Sequence, residues 1–154
     1  MNLDIPLKKV TLPSVVTYGY VYHHPTPTKP TIPFLHGFPS AAYDWRHQIS
    51  HFSKAGYGVL APDLLGYGST DKPLAAHEYR GKKMAAEIIE ILDHENINKV
   101  HGVGHDWGSY LLLAWQTITM IDSTRIPSQA WHTILRDILI LIQLKLLQLL
   151  KLDA

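Results

Sequence analysis

The sequence predicts an α/β fold with a mostly parallel sheet and flanking helices, and three observations carry that reading. Short apolar runs at 31–37, 56–64 and 98–105 are bounded by glycine or proline. Apolar residues recur at helical spacing between and after those runs, at 43–55, 79–94 and 107–120. Strand and helix therefore alternate, which makes the helices crossovers between parallel strands.

Each element follows in order. "KVTLPSVVTYGYVY" (9–22) is β-branched and aromatic and reads as one or two strands, interrupted near Pro13 and Gly19. "HHPTPTKP" (23–30) carries three prolines in eight residues, so it is a loop, with His23 and His24 solvated. "TIPFLHG" (31–37) is a short buried strand that empties into a glycine, and a modest helix follows at 43–55. "GYGVLAPDL" (56–64) is a strand entered through glycines and left through Pro62. The loop "GYGSTDKP" has neither the spacing nor the helix start of a dinucleotide fingerprint. In "YRGKKMAAEIIEILDH" (79–94), Met84, Ile88, Ile91 and Leu92 lie on one helical face with charges between them. "NKVHGVGH" (98–105) is the next strand and 107–120 the next helix; no segment repeats.

Composition narrows the function classes. A net charge of +1 gives no footprint for nucleic acid or an acidic partner. The absence of cysteine excludes disulfides, thiol catalysis and cysteine-bound metal. "MNLDIPLKKV" lacks the apolar core of a secretory signal, so a cytoplasmic location is expected.

The chemistry concentrates in "GHDWGS". Gly104, His105, Asp106, Trp107 and Gly108 place one acid at the apex of a tight strand-to-helix turn, with a glycine two positions to either side. Side chains at those two positions would collide, and the following helix aims its free N–H groups and positive end at the apex. A carboxylate with a reference pKa near 3.9 is ionised at neutral pH and needs no base to attack. It suits displacement at an sp³ carbon, giving an alkyl ester that water then opens, so an epoxide or a carbon–halogen bond is the expected substrate. Taken alone, the five residues fit a turn with a local side-chain hydrogen bond better.

They are not alone. "FLHGFPSAAYDWRHQI" (34–49) sets His36, Gly37, Phe38 and Pro39 directly after a strand, where a cis Phe38–Pro39 bond is expected. In that order and separation, "HGFP", "APDLLGYGSTDKP" and "GHDWGS" resemble the epoxide hydrolase family of α/β hydrolases, from about Lys9 to about Leu112. The resemblance implies Asp106 as nucleophile and the backbone N–H groups of Phe38 and Trp107 as the oxyanion hole. It implies that His36, Gly37 and Pro39 shape the oxyanion loop, that Gly104 and Gly108 permit the turn, and that Trp45 lies beside the substrate pocket. A small apolar epoxide is the implied substrate, with no cofactor and no metal. Haloalkane dehalogenases share the apex Asp followed by Trp but usually carry Asn where Phe38 stands, so a dehalogenase-like hydrolase is the alternative.

The family pattern also needs a later acid and histidine and a lid bearing tyrosines. After the turn the chain has only His132 as histidine and only Asp122, Asp137 and Asp153 as acids, and no tyrosine follows Tyr110. The expectation is an incomplete α/β-hydrolase fold, with lid and last strands absent, a truncated or alternatively read end, and incomplete catalysis. Residues 1–120 read as the N-terminal part of the hydrolase domain and 121–154 as a polar linker with a leucine-rich helical tail. That tail, "TILRDILILIQLKLLQLLKL", is interrupted by Arg136, Asp137, Lys145 and Lys151, so no transmembrane span is expected. Ile140, Leu141 and Leu144 fall on its polar side, so it wants a partner surface. It would cover the open edge left by the strand at 98–105, or drive self-association through 130–152 as a non-catalytic interaction protein.

Four further residues or pairs are set aside. His47 and His51 are four apart on a helix but lack a third ligand. His101 and His105 are separated by ~13 Å along a strand, and His105 is expected to pack structurally. Asp63 reads as a turn-stabilising acid. Ser109 lies outside the apex.

Overall fold

The computed structural model describes residues 6–98 and 100–121. The segment 122–154, on which the tail, self-association and second-unit expectations rest, lies outside the described residues.

Strands β1 (Leu7–Thr11), β2 (Thr17–His23), β3 (Thr31–Leu35), β4 (Gly58–Pro62) and β5 (Val103–Gly104) form one sheet in the order β1-β2-β4-β3-β5. The α/β reading holds: β4, β3 and β5 run parallel, and an antiparallel β1–β2 hairpin is added at one side. Helix α1 (Arg46–Lys54) connects β3 to β4, α2 (Gly81–His94) connects β4 to β5, and α3 (Trp107–Ile121) follows β5. Short 3₁₀ turns at Ala42–Trp45 and Ala76–Tyr79 lead into α1 and α2.

Side-chain alternation along the strands divides the core into two layers. Tyr18, Tyr20 and Tyr22 of β2, Leu35 of β3 and Leu60 of β4 pack with Ile88, Ile91 and Leu92 of α2 and Leu111 and Leu112 of α3. Their neighbours Val21, Ile32, Phe34, Val59 and Ala61 point the other way and pack with Trp45 and Ile49. β2, β3 and β4 are therefore apolar on both faces, as strands sandwiched by helices must be.

Two expectations about elements need correction. Gly19 lies inside β2 rather than interrupting it, because Ser69 occupies the space its side chain would need; the break falls at 12–16. The predicted strand at 98–105 shortens to Val103–Gly104, with only an isolated bridge between Val100 and Thr31 before it. Among the described residues it comes last in the strand order and pairs with β3. Glu87 is buried on the apolar face of α2, where Tyr18 Oη donates to it at 2.8 Å and Lys83 pairs with it. Burial, and then the Glu87 charge, push the Tyr18 hydroxyl far above its ordinary value. No described helix is long and apolar enough to cross a membrane.

Candidate active site

β3 and β5 lie side by side with their carboxyl ends level, Leu35 opposite Gly104. From β3 the chain crosses to β4 on one side, and from β4 it crosses back to β5 on the other. Such a reversal opens a crevice above the carboxyl ends of the strands, where ligands bind in open α/β sheets. Asp106 and Phe38 meet in that crevice.

Asp106 has φ +53°, the left-handed region that a side chain enters only at a cost. The turn is closed by Gly108 N–H to the His105 carbonyl at 2.9 Å and Ser109 N–H to the Asp106 carbonyl at 3.0 Å. Close packing explains both glycines. A Cβ on Gly104 would lie 2.7 Å from the Gly108 backbone, and one on Gly108 would overlap the Leu35 carbonyl. Trp107 begins α3, so the Asp106 carboxylate stands at the helix's positive end.

Across the crevice, Phe38 N–H donates to Asp106 Oδ1 at 2.9 Å. A side chain on Gly37 would overlap that carboxylate, so only glycine lets the two loops come so close. The Phe38–Pro39 bond is cis, as expected. The Phe38 amide, then the Trp107 amide, hold the Asp106 carboxyl below the ordinary carboxylate range, and His105 acts in the same direction.

His36 is 1% exposed and makes two bonds that settle its state. Leu64 N–H donates to Nε2 at 2.9 Å, and Nδ1 donates to the Gly37 carbonyl at 2.9 Å, so the ring is neutral. Burial lowers its pKa, opposed by the Gly37 bond and the Asp63 charge. Trp45 is buried against Phe34, with ring centroids 5.2 Å apart. It lines an open recess of about 210 Å³ together with His36, Ser40, Asp44, Gln48 and His105. The Ser40 hydroxyl, which donates to Asp44 Oδ2, holds the Asp44 carboxyl below its usual range.

His105 corrects an expectation. It is exposed and lines the recess rather than packing inside, because the turn directs the residue before the apex outward. The side chains of Phe38 and Trp107 are also exposed, at 64% and 59%. Trp107 stacks edge-on against Tyr110 at 5.7 Å, so the crevice mouth has an aromatic rim. Asp63 is a turn acid as expected, but it also reaches Ala42, a contact that no local pattern signals. Asp44 and Gln48 escaped notice for the same reason: only the fold brings them beside His105. Among the described residues no three His, Asp or Glu side chains converge in a metal-binding cluster.

With the geometry in place, comparison with known proteins adds an independent line. Residues 30–116 match the family model of the α/β hydrolase fold. "Epoxide hydrolase 3" of Siraitia grosvenorii is 44% identical over 88 residues, which cover 57% of this chain and 27% of that protein. "Epoxide hydrolase A" of Mycobacterium tuberculosis is 42% identical over 86 residues, covering 56% of this chain and 27% of that one. Among solved structures, an epoxide hydrolase of Vigna radiata superposes with a TM-score of 0.70 at 30% identity. The match covers 77% of this chain and 37% of that one. Epoxide hydrolase A of Mycobacterium thermoresistibile gives 0.67 at 33% identity, covering 73% and 35%. The chain thus spans 27% of the length of these two curated relatives and 35–37% of these two structures.

Proposed function

Because this chain belongs to the α/β-hydrolase fold family, we propose that it is a hydrolase of the epoxide hydrolase type with Asp106 as nucleophile. The observation that supports this reading most is the left-handed Asp106 whose Oδ1 accepts the Phe38 N–H at 2.9 Å. That bond leaves the second carboxylate oxygen to attack. Oδ2 bonds to an epoxide ring carbon, the ring C–O bond breaks, and its electron pair stays on the epoxide oxygen, which takes a proton from water. The product is a hydroxyalkyl ester on Asp106.

Water then adds to the ester carbonyl carbon, and charge collects on the oxygen facing the Phe38 and Trp107 amides, which act as the oxyanion hole. Collapse expels the diol and restores the carboxylate. His36, Gly37 and Pro39 hold the loop, Gly104 and Gly108 permit the turn, and Trp45 floors the neighbouring recess. The exposed Phe38, Trp107 and Tyr110 side chains favour a small apolar epoxide. Between Trp107 and Ile121 there is no acid or histidine to activate the water. Where no group activates that water, the ester accumulates at one per molecule instead of turning over. A cytoplasmic location and self-association through 130–152 complete the reading, the latter outside the described residues.

Treating the protein with a reactive aryl epoxide and weighing it intact tests the proposal. Wild type gains one epoxide mass, and Asp106→Ala gains none. Equal labelling of the two removes Asp106 from the reaction.

A further inference from the structure

Two consecutive residues at the carboxyl end of β4 grip both ends of the loop that carries Phe38. At the near end, Leu64 N–H holds His36 Nε2 at 2.9 Å. At the far end, Asp63 Oδ1 accepts Ala42 N–H at 2.9 Å. Asp63 is itself fixed: Oδ2 accepts Ser69 N–H at 2.8 Å and Ser69 Oγ–H at 3.0 Å, and its own N–H donates to the Gly19 carbonyl at 2.9 Å. It is 6% exposed, so these bonds are shielded from water. At the loop tip the Phe38 and Pro39 side chains are exposed.

We propose that Asp63 is a positioning residue: by anchoring Ala42 to the end of β4, it sets where the Phe38 N–H meets Asp106. Its consequence for catalysis rests on the role proposed above for Asp106, but the placement does not. A carboxylate offers only acceptors, and here both of its oxygens face backbone N–H groups. An asparagine turns one oxygen into a donor, so it loses either the Ala42 or the Ser69 amide however it is oriented. The loop then slackens, and Asp106 loses the donor that stabilises its charge.

The test follows Asp106 itself, by carbon-13 NMR titration of its carboxyl, with Asp106→Asn to assign the signal. Asp71→Asn is the control, since Asp71 Oδ2 likewise staples the Thr17 N–H at 2.7 Å, but away from Phe38. His105, the titratable neighbour that acts on Asp106 through space, is kept in every variant. Asp63→Asn should raise the Asp106 midpoint by about one pH unit, while Asp71→Asn leaves it in place. An unchanged midpoint in folded Asp63→Asn, or an equal rise in both variants, overturns the inference.

Should Asp63→Asn fail to fold, Ala42→Pro removes the donor and keeps Asp63, and urea unfolding checks that the buried ring is accommodated. Proline fits the first position of a helical turn, and Ala41 before it is already extended at φ −149° and ψ 172°. The same rise is expected, and its absence overturns the proposal. If Asp63→Asn moves the Asp106 titration while wild type takes up no epoxide, the reactive role fails and the positioning role stands.

Discussion

Asp63 and Asp106 leave the same end of the same sheet, one after β4 and one after β5, and their carboxylates are held in opposite ways. Asp63 is 6% exposed, and both its oxygens accept protein donors. Asp106 is exposed on a left-handed turn, with Phe38 N–H on Oδ1 and the Trp107 amide beside the carboxylate. Both carry negative charge beside backbone amides, so charge alone does not separate structure from chemistry. What separates them is access to solvent: Asp106 is exposed and Asp63 is buried.

The glycines offer the hardest way to break this contrast, and the largest effect. Gly108 faces the Leu35 carbonyl, which belongs to a strand and has nowhere to go, whereas Gly68 faces the Asp63 carboxylate, a side chain. Gly108→Ala should destabilise by about 3 kcal/mol and Gly68→Ala, at φ +47°, by about 2 kcal/mol. Urea unfolding measures both. Gly108→Ala should also abolish epoxide labelling in whatever fraction folds, because the turn that presents Asp106 is lost. If Gly108→Ala unfolds like wild type, the turn is not held as tightly as its packing implies.

These contrasts were only partly legible in the sequence. The Asp106 turn was, because glycine spacing and an apex acid are local and steric. So were Phe38 and the cis bond to Pro39, which sit within four residues of a strand end. The grip of Asp63 on Ala42 was not, since it joins residues 21 apart and depends on β3 and β4 lying side by side. Glu87 looked like one of the charges between the apolar positions of α2; only Tyr18 on β2 and Lys83 explain its burial. The outward turn of His105 likewise follows from the sharpness of the turn, not from its residue type. Short-range sterics can be read along a chain, whereas satisfaction of buried polar groups requires the partner element.

Acidity separates His36, an anchor of the Phe38 loop, from Asp106, with an intermediate effect. His36 is neutral and buried with its pKa lowered, so the unfolded chain binds its proton first as pH falls. Its contribution is therefore complete above the unfolded value near 6.5. It is lost as pH drops from there toward the folded value, by up to about 1.4 kcal/mol per pH unit. Protonated Nε2 also cannot accept the Leu64 N–H. Urea unfolding at pH 7.5 and 5.5 should show the loss in wild type and a smaller one in His36→Gln, which corrects for the other histidines. Asp106, whose carboxyl is held below its ordinary range, stays ionised throughout that interval. Equal losses in the two proteins would move the acid-sensitive point elsewhere.

The smallest effect is the most direct reading of what the Asp106 position is for. A residue at φ +53° is strained unless it is glycine, and asparagine tolerates the region nearly as well as aspartate. Asp106→Gly should melt about 2 °C higher than wild type, since strain is relieved and water replaces the exposed carboxylate on the Phe38 amide. Asp106→Asn should melt within error of wild type, and neither variant should take up epoxide. Asp63→Gly reverses that pattern and melts lower, because its amide partners become buried and unpaired. A lower melting point for Asp106→Gly would mean that the carboxylate helps to hold the turn closed. Asp106 would then share the structural work done by Asp63, and strain at the apex would no longer mark a position kept for chemistry.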